Sequence, residues 1–321
     1  MGPIAILGDG VTGTAVKEKC AELGIDIVDP NKELHKASLV VASPGIPPEQ
    51  YPSVDAEIIS EIEFAYRLMQ VRLETPQIIG VTGTNGKSTV TALIAHILDC
   101  PMSGNIGTPL ISFIGNMPER IVVELSSYQL ERCYDFKADI SVILNLTPDH
   151  LQRHNTMDAY MDAKARLYRH AKESDWIIYD GSSRYIRDSI CDAVAQQKNI
   201  VDCATDLDFK NDSLPGLHNR LNMAAAFLAA KATGMLAADI LEKIRSFKGL
   251  EHRLESVIKI DDRHFINDSK ATNLDATIKA VESYHKPTHL ILCGADKDLD
   301  VREFLYDNFL LPLWSRQGLW P

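Results

Sequence analysis

Along the first stretch of the chain, short apolar runs alternate with longer segments of helical spacing, and strand, helix, strand in that order predicts a parallel sheet. Ile4 to Leu7 reads as the first strand, followed by a Gly-rich turn, a helix near Thr14 to Leu23, and strands at Ile25 to Val28 and Ser38 to Ala42. Helical spacing returns from about Ser53 to Leu68, and the polar Leu73-Glu74-Thr75-Pro76 predicts a linker.

A second unit opens with a strand from Gln77 to Val81, a loop, and an apolar helix from Lys87 to Leu98. Ile121-Val122-Val123, Ile140 to Leu144 and Trp176 to Tyr179 are further short apolar runs that read as buried strands. The Ala-rich stretch from Leu221 to Gly234 reads as a buried helix rather than a membrane one, because Lys231 interrupts it. Past Gly249 the pattern changes to Leu254 to Ile260, a turn at Asp261-Asp262, and His264 to Ile266, a hairpin that opens a third unit. A helix from Leu274 to Tyr284 and a strand from Leu290 to Cys293 continue it. These breaks divide the chain into 1–74, 75–250 and 251–321, with no internal repeat and no low-complexity segment.

At 321 residues, 45% hydrophobic and 24% charged, the chain has material for two or three cores and is too apolar for disorder. Its formal net charge of −11 gives no electrostatic footprint for nucleic acid or an anionic membrane, so any phosphate site must be local. The N-terminus lacks a basic region before its apolar run and carries Asp9 just after it, unlike a secretory signal, and no run reaches the ~18 apolar residues of a membrane span. Cys20, Cys100, Cys133, Cys191, Cys203 and Cys293 form no C-x-x-C pair and read as reduced packing residues of a cytosolic protein.

Candidate chemistry begins at Thr82-Gly83-Thr84-Asn85-Gly86-Lys87-Ser88-Thr89, between a strand and a helix. Gly83 and Gly86 let backbone N–H groups turn toward an anion, the helix points its positive end there, Lys87 adds a full charge, and Ser88 is placed to ligate Mg2+. A nucleotide, ATP first, is the expected ligand; an ordinary Gly-containing turn is the plain alternative. The strict G-x-x-x-x-G-K-[ST] pattern requires glycine at position 81, where this chain has Val81. Glu124 follows three apolar residues and is expected at the carboxyl end of a strand beside the loop, as a Mg2+ ligand or a merely solvated carboxylate. His150 is expected on a loop at the same sheet edge, where a surface histidine is the alternative.

Gly8-Asp9-Gly10-Val11-Thr12-Gly13 is a G-x-G-x-x-G between a strand and a helix, with Asp29 ending the next strand. Alone it says NAD or FAD, or a tight structural turn. Only about seventy residues precede the linker, roughly half of a full dinucleotide fold.

The compressed loop from Thr82 to Thr89 resembles the P-loop of the Mur ligase family. The resemblance covers roughly residues 1–310, through Ser43-Pro44-Gly45-Ile46, Gly104-Asn105-Ile106-Gly107, the run Glu124 to Glu131, and Asn267-Asp268-Ser269-Lys270-Ala271-Thr272-Asn273. The last segment is similar to the D-glutamate-adding members and differs from other Mur ligases and folylpolyglutamate synthases. The resemblance implies an α/β fold in three domains: a Rossmann-like N-terminal domain for a UDP substrate, a central P-loop domain for ATP, and an incomplete Rossmann-like C-terminal domain for an amino acid.

In the resembling family Gly83, Thr84, Asn85, Gly86, Lys87, Ser88 and Thr89 hold the ATP phosphates, Ser88 and Glu124 ligate Mg2+, His150 ligates a second ion, and Asn105 contacts the acyl-phosphate region. Lys164, which composition reads as a solvated charge, matches the lysine that the family carbamylates, turning a cation into a carboxylate able to hold Mg2+. Asn222 is implied at adenine with His218 and Asn219 nearby, although asparagine there equally caps a helix. Arg253 and Asp268 are implied at the nucleotide phosphates and ribose. Gly10, Val11, Thr12 and Asp29 are implied at UDP, with Ser43 and Gly45 closing that site. Lys270, Thr272 and Lys297 match positions that meet the D-glutamate carboxylates, and Lys297 equally reads as a solvated helix start.

The implied reaction is an ADP-forming ligation with ATP and two Mg2+ ions. The carboxylate of UDP-N-acetylmuramoyl-L-alanine attacks the γ-phosphate, and the amine of D-glutamate displaces phosphate from the acyl phosphate. The expected setting is peptidoglycan biosynthesis by a monomer in the bacterial cytoplasm, without nucleic acid or membrane insertion. Family members continue for about a hundred residues past Cys293, so a truncated third domain is expected, and a nucleotide- and UDP-binding remnant without ligase activity stays open. A phosphotransfer switch and an NAD oxidoreductase are the remaining alternatives.

Overall fold

Strands that are apolar on both faces are typical of parallel sheets, and the structure, a computed structural model, has two such sheets among its described residues. It describes residues 2–193, 199–203, 209–284 and 287–293, without the side chains of 191–193. The first sheet is built from β1 (Ile4–Leu7), α1 (Val11–Leu23), β2 (Ile27–Val28), β3 (Leu39–Ala42), β4 (Glu57–Ser60) and α2 (Glu61–Arg72). Its four parallel strands run in the order β2-β1-β3-β4. The helical spacing expected from about Ser53 to Leu68 divides into β4 and the start of α2. A short run such as Ile58-Ile59 has too few residues to fix a period, and the boundary is set locally: the Ser60 hydroxyl accepts Glu63 N at 3.2 Å and caps the helix.

The second sheet follows from β5 (Gln77–Thr82), α3 (Lys87–Leu98), β6 (Met102–Gly104), β7 (Arg120–Glu124), α4 (Ser127–Leu130) and β8 (Ile140–Ile143). It continues through α5 (Leu151–His154), α6 (Met157–Ala165), β9 (Trp176–Tyr179), α7 (Arg184–Ala193), β10 (Ile200–Asp202), α8 (Leu217–Ala232) and α9 (Ala237–Ser246). Its six strands are all parallel, in the order β10-β9-β8-β5-β7-β6.

The two sheets belong to one compact unit, which comprises the chain up to Asn211 together with Asn219–Lys248. One apolar core runs through both, from Ile4, Val41, Phe64 and Leu68 to Leu110, Ile121, Leu130 and Phe136. Two buried carboxylates at the head of α2 reinforce the junction. Glu61 Oε1 accepts Ile111 N at 2.6 Å, and burial pushes the Glu61 carboxyl up to about 7. Glu63, fully buried, accepts Tyr134 N at 3.0 Å, Asp135 N at 3.0 Å, Phe136 N at 2.9 Å and Arg67 Nε at 2.7 Å.

The second unit comprises Asp212–His218 and the chain from Gly249 on. Its hairpin pairs β11 (Glu255–Ile260) with β12 (Arg263–Asn267), turns at Asp261 with φ +52°, and bulges between Ser256 and Ile258. Helix α10 (Leu274–Glu282) is capped by Asn273, whose side chain accepts Ala276 N at 2.9 Å. The strand expected from Leu290 to Cys293 does not form, and Ile291 is 89% exposed. A strand needs a neighbour for its ladder, and among the described residues of this unit the antiparallel hairpin is the only pair. Cys293 is exposed rather than packed and Cys100 is half-buried, whereas Cys20, Cys133 and Cys203 are buried as expected. The Cys191 side chain lies outside the described residues. Among the described residues no helix is long and apolar enough to cross a membrane.

Replacing Glu63 by alanine leaves three backbone N–H donors, that of Phe136 buried, without their carboxylate acceptor, at a cost of about 3 kcal/mol. Urea unfolding of Glu63→Ala is expected to show that loss; a change within about 0.5 kcal/mol would mean that the carboxylate does not join the two sheets.

Candidate active site

β5 lies between β7 and β8, so the loops leaving the carboxyl ends of these three strands open on one sheet edge, where α/β proteins bind ligands. The first of these loops runs from Gly83 to Gly86 and feeds α3. Gly86 takes φ +88°, and a Cβ there would lie 2.5 Å from Asn222 Oδ1, so both the turn and the approach of α8 require glycine. Lys87 Nζ donates to Thr84 O at 2.8 Å and Gly83 O at 3.1 Å.

The loop is clamped from the β8 side. Asn145 Oδ1 accepts Asn85 N at 2.9 Å, and Asn145 Nδ2 donates to Asn85 O at 3.0 Å. The Thr84 hydroxyl donates to Thr147 O at 3.1 Å and accepts Thr147 N at 3.1 Å, so this side chain serves the loop's shape. Thr89 likewise turns inward and is 2% exposed, whereas Ser88 is half-buried on the first turn of α3. Sequence reasoning passed over Asn145, whose only signal was its position directly after an apolar strand.

Beneath the loop sits Lys164, 1% exposed rather than solvated. Its Nζ donates to Gly83 O at 2.8 Å and lies 4.4 Å from the centre of the Tyr160 ring. Burial, then the nearby charge of Lys87, holds this amine well below the usual lysine range, against a smaller opposing effect of Asp149. That shift favours the neutral, nucleophilic form of the amine.

Glu124 ends β7 beside the loop and is 1% exposed. Its Oε1 accepts Asn105 Nδ2 at 2.8 Å, while Oε2 is buried with no hydrogen-bond partner. A buried carboxylate oxygen left without a donor suits a cation. His150 caps α5 with φ +55°, and its Nδ1 lies 3.1 Å from the Tyr128 hydroxyl. Among the described residues no three His, Cys, Asp or Glu side chains converge as a metal cluster.

On the first sheet, Gly13 packs so closely that a Cβ would lie 1.9 Å from Gly8 O, which fixes the turn between β1 and α1. Gly10 and Gly45 face open space, Val11 is exposed, and the Ser43 hydroxyl is buried with no hydrogen-bond partner. Thr12 lies on the first turn of α1, and Asp29 Oδ1 accepts Asn31 N at 2.9 Å just past β2. Asn219 and Asn222 lie together in α8, with Asn222 Nδ2 donating to Asn219 Oδ1 at 2.9 Å.

Within the second unit, Asp268 Oδ1 accepts Leu254 N at 3.1 Å and ties together the ends of the hairpin. Burial raises the Asp268 carboxyl although neighbouring Arg253 opposes it, and Arg253 Nε is buried without a partner. Burial, then the charges of Lys279 and Arg253, push His218 down to about 4. Lys270 and Thr272 are exposed on the segment leading to α10, and Lys297 lies outside the described residues.

The profile of the Mur ligase middle domain matches residues 81–211. A UDP-N-acetylmuramoylalanine–D-glutamate ligase of Clostridioides difficile is 36% identical over 85% of this chain and 67% of its own length. The ligase of the same description from Caldicellulosiruptor bescii is 36% identical over 86% of this chain and 67% of its own length. The chain thus spans about two thirds of the length of these relatives. In three dimensions it is similar to the MurF ligase of Thermotoga maritima in complex with ADP, with TM-score 0.58 and 16% identity over 88% of this chain and 72% of that one. It is also similar to MurF of Acinetobacter baumannii, with TM-score 0.58 and 20% identity over 77% of this chain and 62% of that one.

Proposed function

The chain belongs to the Mur ligase family, among the UDP-N-acetylmuramoylalanine–D-glutamate ligases, and on that premise we propose that it joins D-glutamate to UDP-N-acetylmuramoyl-L-alanine at the expense of ATP. The observation that carries the reading is the buried amine of Lys164 against Gly83 O, directly under a loop built for nucleotide phosphates. The loop N–H groups and Lys87 bind the triphosphate and draw charge from the γ-phosphate as the substrate carboxylate approaches. That attack gives an acyl phosphate and ADP; the amine of D-glutamate then adds to the acyl carbon, and phosphate leaves.

The residues fit Mg2+, because Glu124 Oε2 is buried without a hydrogen-bond partner. The ions would be held by Ser88, Glu124, His150 and the carbamate of Lys164, and when bound they offset the repulsion between carboxylate and triphosphate. The carbamate forms when the neutral amine adds to carbon dioxide and releases a proton, a step favoured by the amine's lowered proton affinity. Asn105 orients Glu124 and reaches the acyl-phosphate region. The UDP diphosphate sits on the glycine turn at Gly10, with Val11, Thr12 and Asp29 near the uridine and with Ser43 and Gly45 closing over it; the partnerless Ser43 hydroxyl supports that seat. Asn222 meets adenine, Arg253 and Asp268 serve the nucleotide, and Lys270, Thr272 and Lys297 serve the D-glutamate carboxylates. The three functional domains are 1–74, 75–250 and 251–321, in a bacterial cytoplasmic monomer.

ADP release by the wild-type chain should require both UDP-N-acetylmuramoyl-L-alanine and D-glutamate. Lys87→Ala should abolish it while leaving binding of the UDP substrate within about twofold; unchanged turnover would sink the assignment. With isotope-labelled bicarbonate, carbon NMR should show one carbamate resonance that disappears in Lys164→Arg, and a spectrum without that resonance in the wild type would remove the carbamate.

A further inference from the structure

Arg153, one turn beyond His150 in α5, has no part in the chemistry just described, yet its side chain is 9% exposed. Its Nη1 donates to Pro44 O at 3.2 Å and Ile46 O at 3.3 Å, reaching from the second sheet to the first. Nε donates to Glu131 Oε1 at 3.0 Å, and Nη2 donates to the same carboxylate. The guanidinium also lies over the Tyr128 ring, 4.2 Å from its centre, and Tyr128 in turn touches His150.

A buried guanidinium is costly unless its donors are occupied, and here the occupants come from two sheets. The segment from Ser43 to Ile46 forms a turn in which Ile46 N donates to Ser43 O at 3.1 Å, and Ser43 N donates to Leu7 O at 2.9 Å. One end of the turn is therefore fixed to β1, and the carbonyls of Pro44 and Ile46 are fixed to Arg153. The same turn carries the Ser43 hydroxyl and Gly45. Only a planar group with several divergent donors can meet both carbonyls and the Glu131 carboxylate at once; a lysine ammonium cannot.

We propose that Arg153 is a positioning residue for the UDP substrate: it locks the Ser43–Ile46 turn to α4 and α5 and so sets the reach from the diphosphate seat to the phosphate loop. This rests on the ligase reading above. A substrate anchored by its UDP end presents its carboxylate at the far end, so a displaced turn shifts the carboxylate relative to the γ-phosphate. Shifts on the order of 1 Å cost rates on the order of a hundredfold.

The test compares wild type, Arg153→Met and Arg153→Lys as full chains, with calorimetric affinities for UDP-N-acetylmuramoyl-L-alanine and for a non-hydrolysable ATP analogue, and with KM and kcat for ADP release. Arg153→Met is expected to weaken the UDP substrate about tenfold and lower kcat about tenfold or more, with the ATP analogue held within about twofold. Arg153→Lys, which keeps the charge beside Glu131, reads the same contrast if the methionine variant does not fold. A lowered unfolding midpoint with both affinities and kcat unchanged would overturn the proposal, as would equal losses for both ligands. If the wild type itself fails to bind the UDP substrate, the ligase reading falls and takes this inference with it; wild-type binding with unaltered variants overturns the inference alone.

Discussion

The arrangement around β5 depends on one buried contact, the amine of Lys164 against the carbonyl of Gly83. An amine in that position has little water to stabilise a charge, and the ammonium of Lys87 shares the same carbonyl. The loop is therefore held at one carbonyl by two lysines, Lys164 from α6 and Lys87 from the start of α3. Asn145 and Thr147 clamp its flank, and Asn222 closes against Gly86. Together these contacts hold the backbone N–H groups in place before any ligand arrives, which is what electrostatic stabilisation of a transferring phosphoryl group requires.

The proposed ligase reading gives the shared core of the first two sheets a use. A reaction between a group anchored on the first sheet and a nucleotide on the second demands a fixed distance between them. Burying Glu63 under three backbone N–H groups and spanning the junction with Arg153 supply that rigidity through directional contacts, whereas an apolar interface alone would permit sliding.

Much of this was legible in the sequence. The strand and helix around Thr82 to Thr89, Glu124 at a strand end and the glycine turn at Gly8 each announce themselves through local pattern. Asn145, Glu63 and Arg153 did not, because their roles depend on partners 60, 71 and 109 positions away, and no local pattern encodes such a partner. Lys164 looked like a surface lysine in a polar helical stretch; its burial follows from how α6 packs beneath the loop. The helix expected over the fifties concealed β4, since two isoleucines fit either period, and the apolar run from Leu290 to Cys293 has no neighbour among the described residues that would make it a strand.

The central claim is that the loop activates a carboxylate by transferring phosphate to it. UDP-N-acetylmuramoyl-L-alanine carrying heavy oxygen in its carboxylate tests this most directly, by mass analysis of the inorganic phosphate released in the presence of ATP and D-glutamate. Transfer of one labelled oxygen into each phosphate is expected, because the carboxylate oxygen becomes the bridge of the acyl phosphate and leaves with the phosphate when the amine attacks the acyl carbon and the C–O bond breaks. Release of unlabelled phosphate alongside ADP would contradict the account and reduce the site to one that hydrolyses ATP.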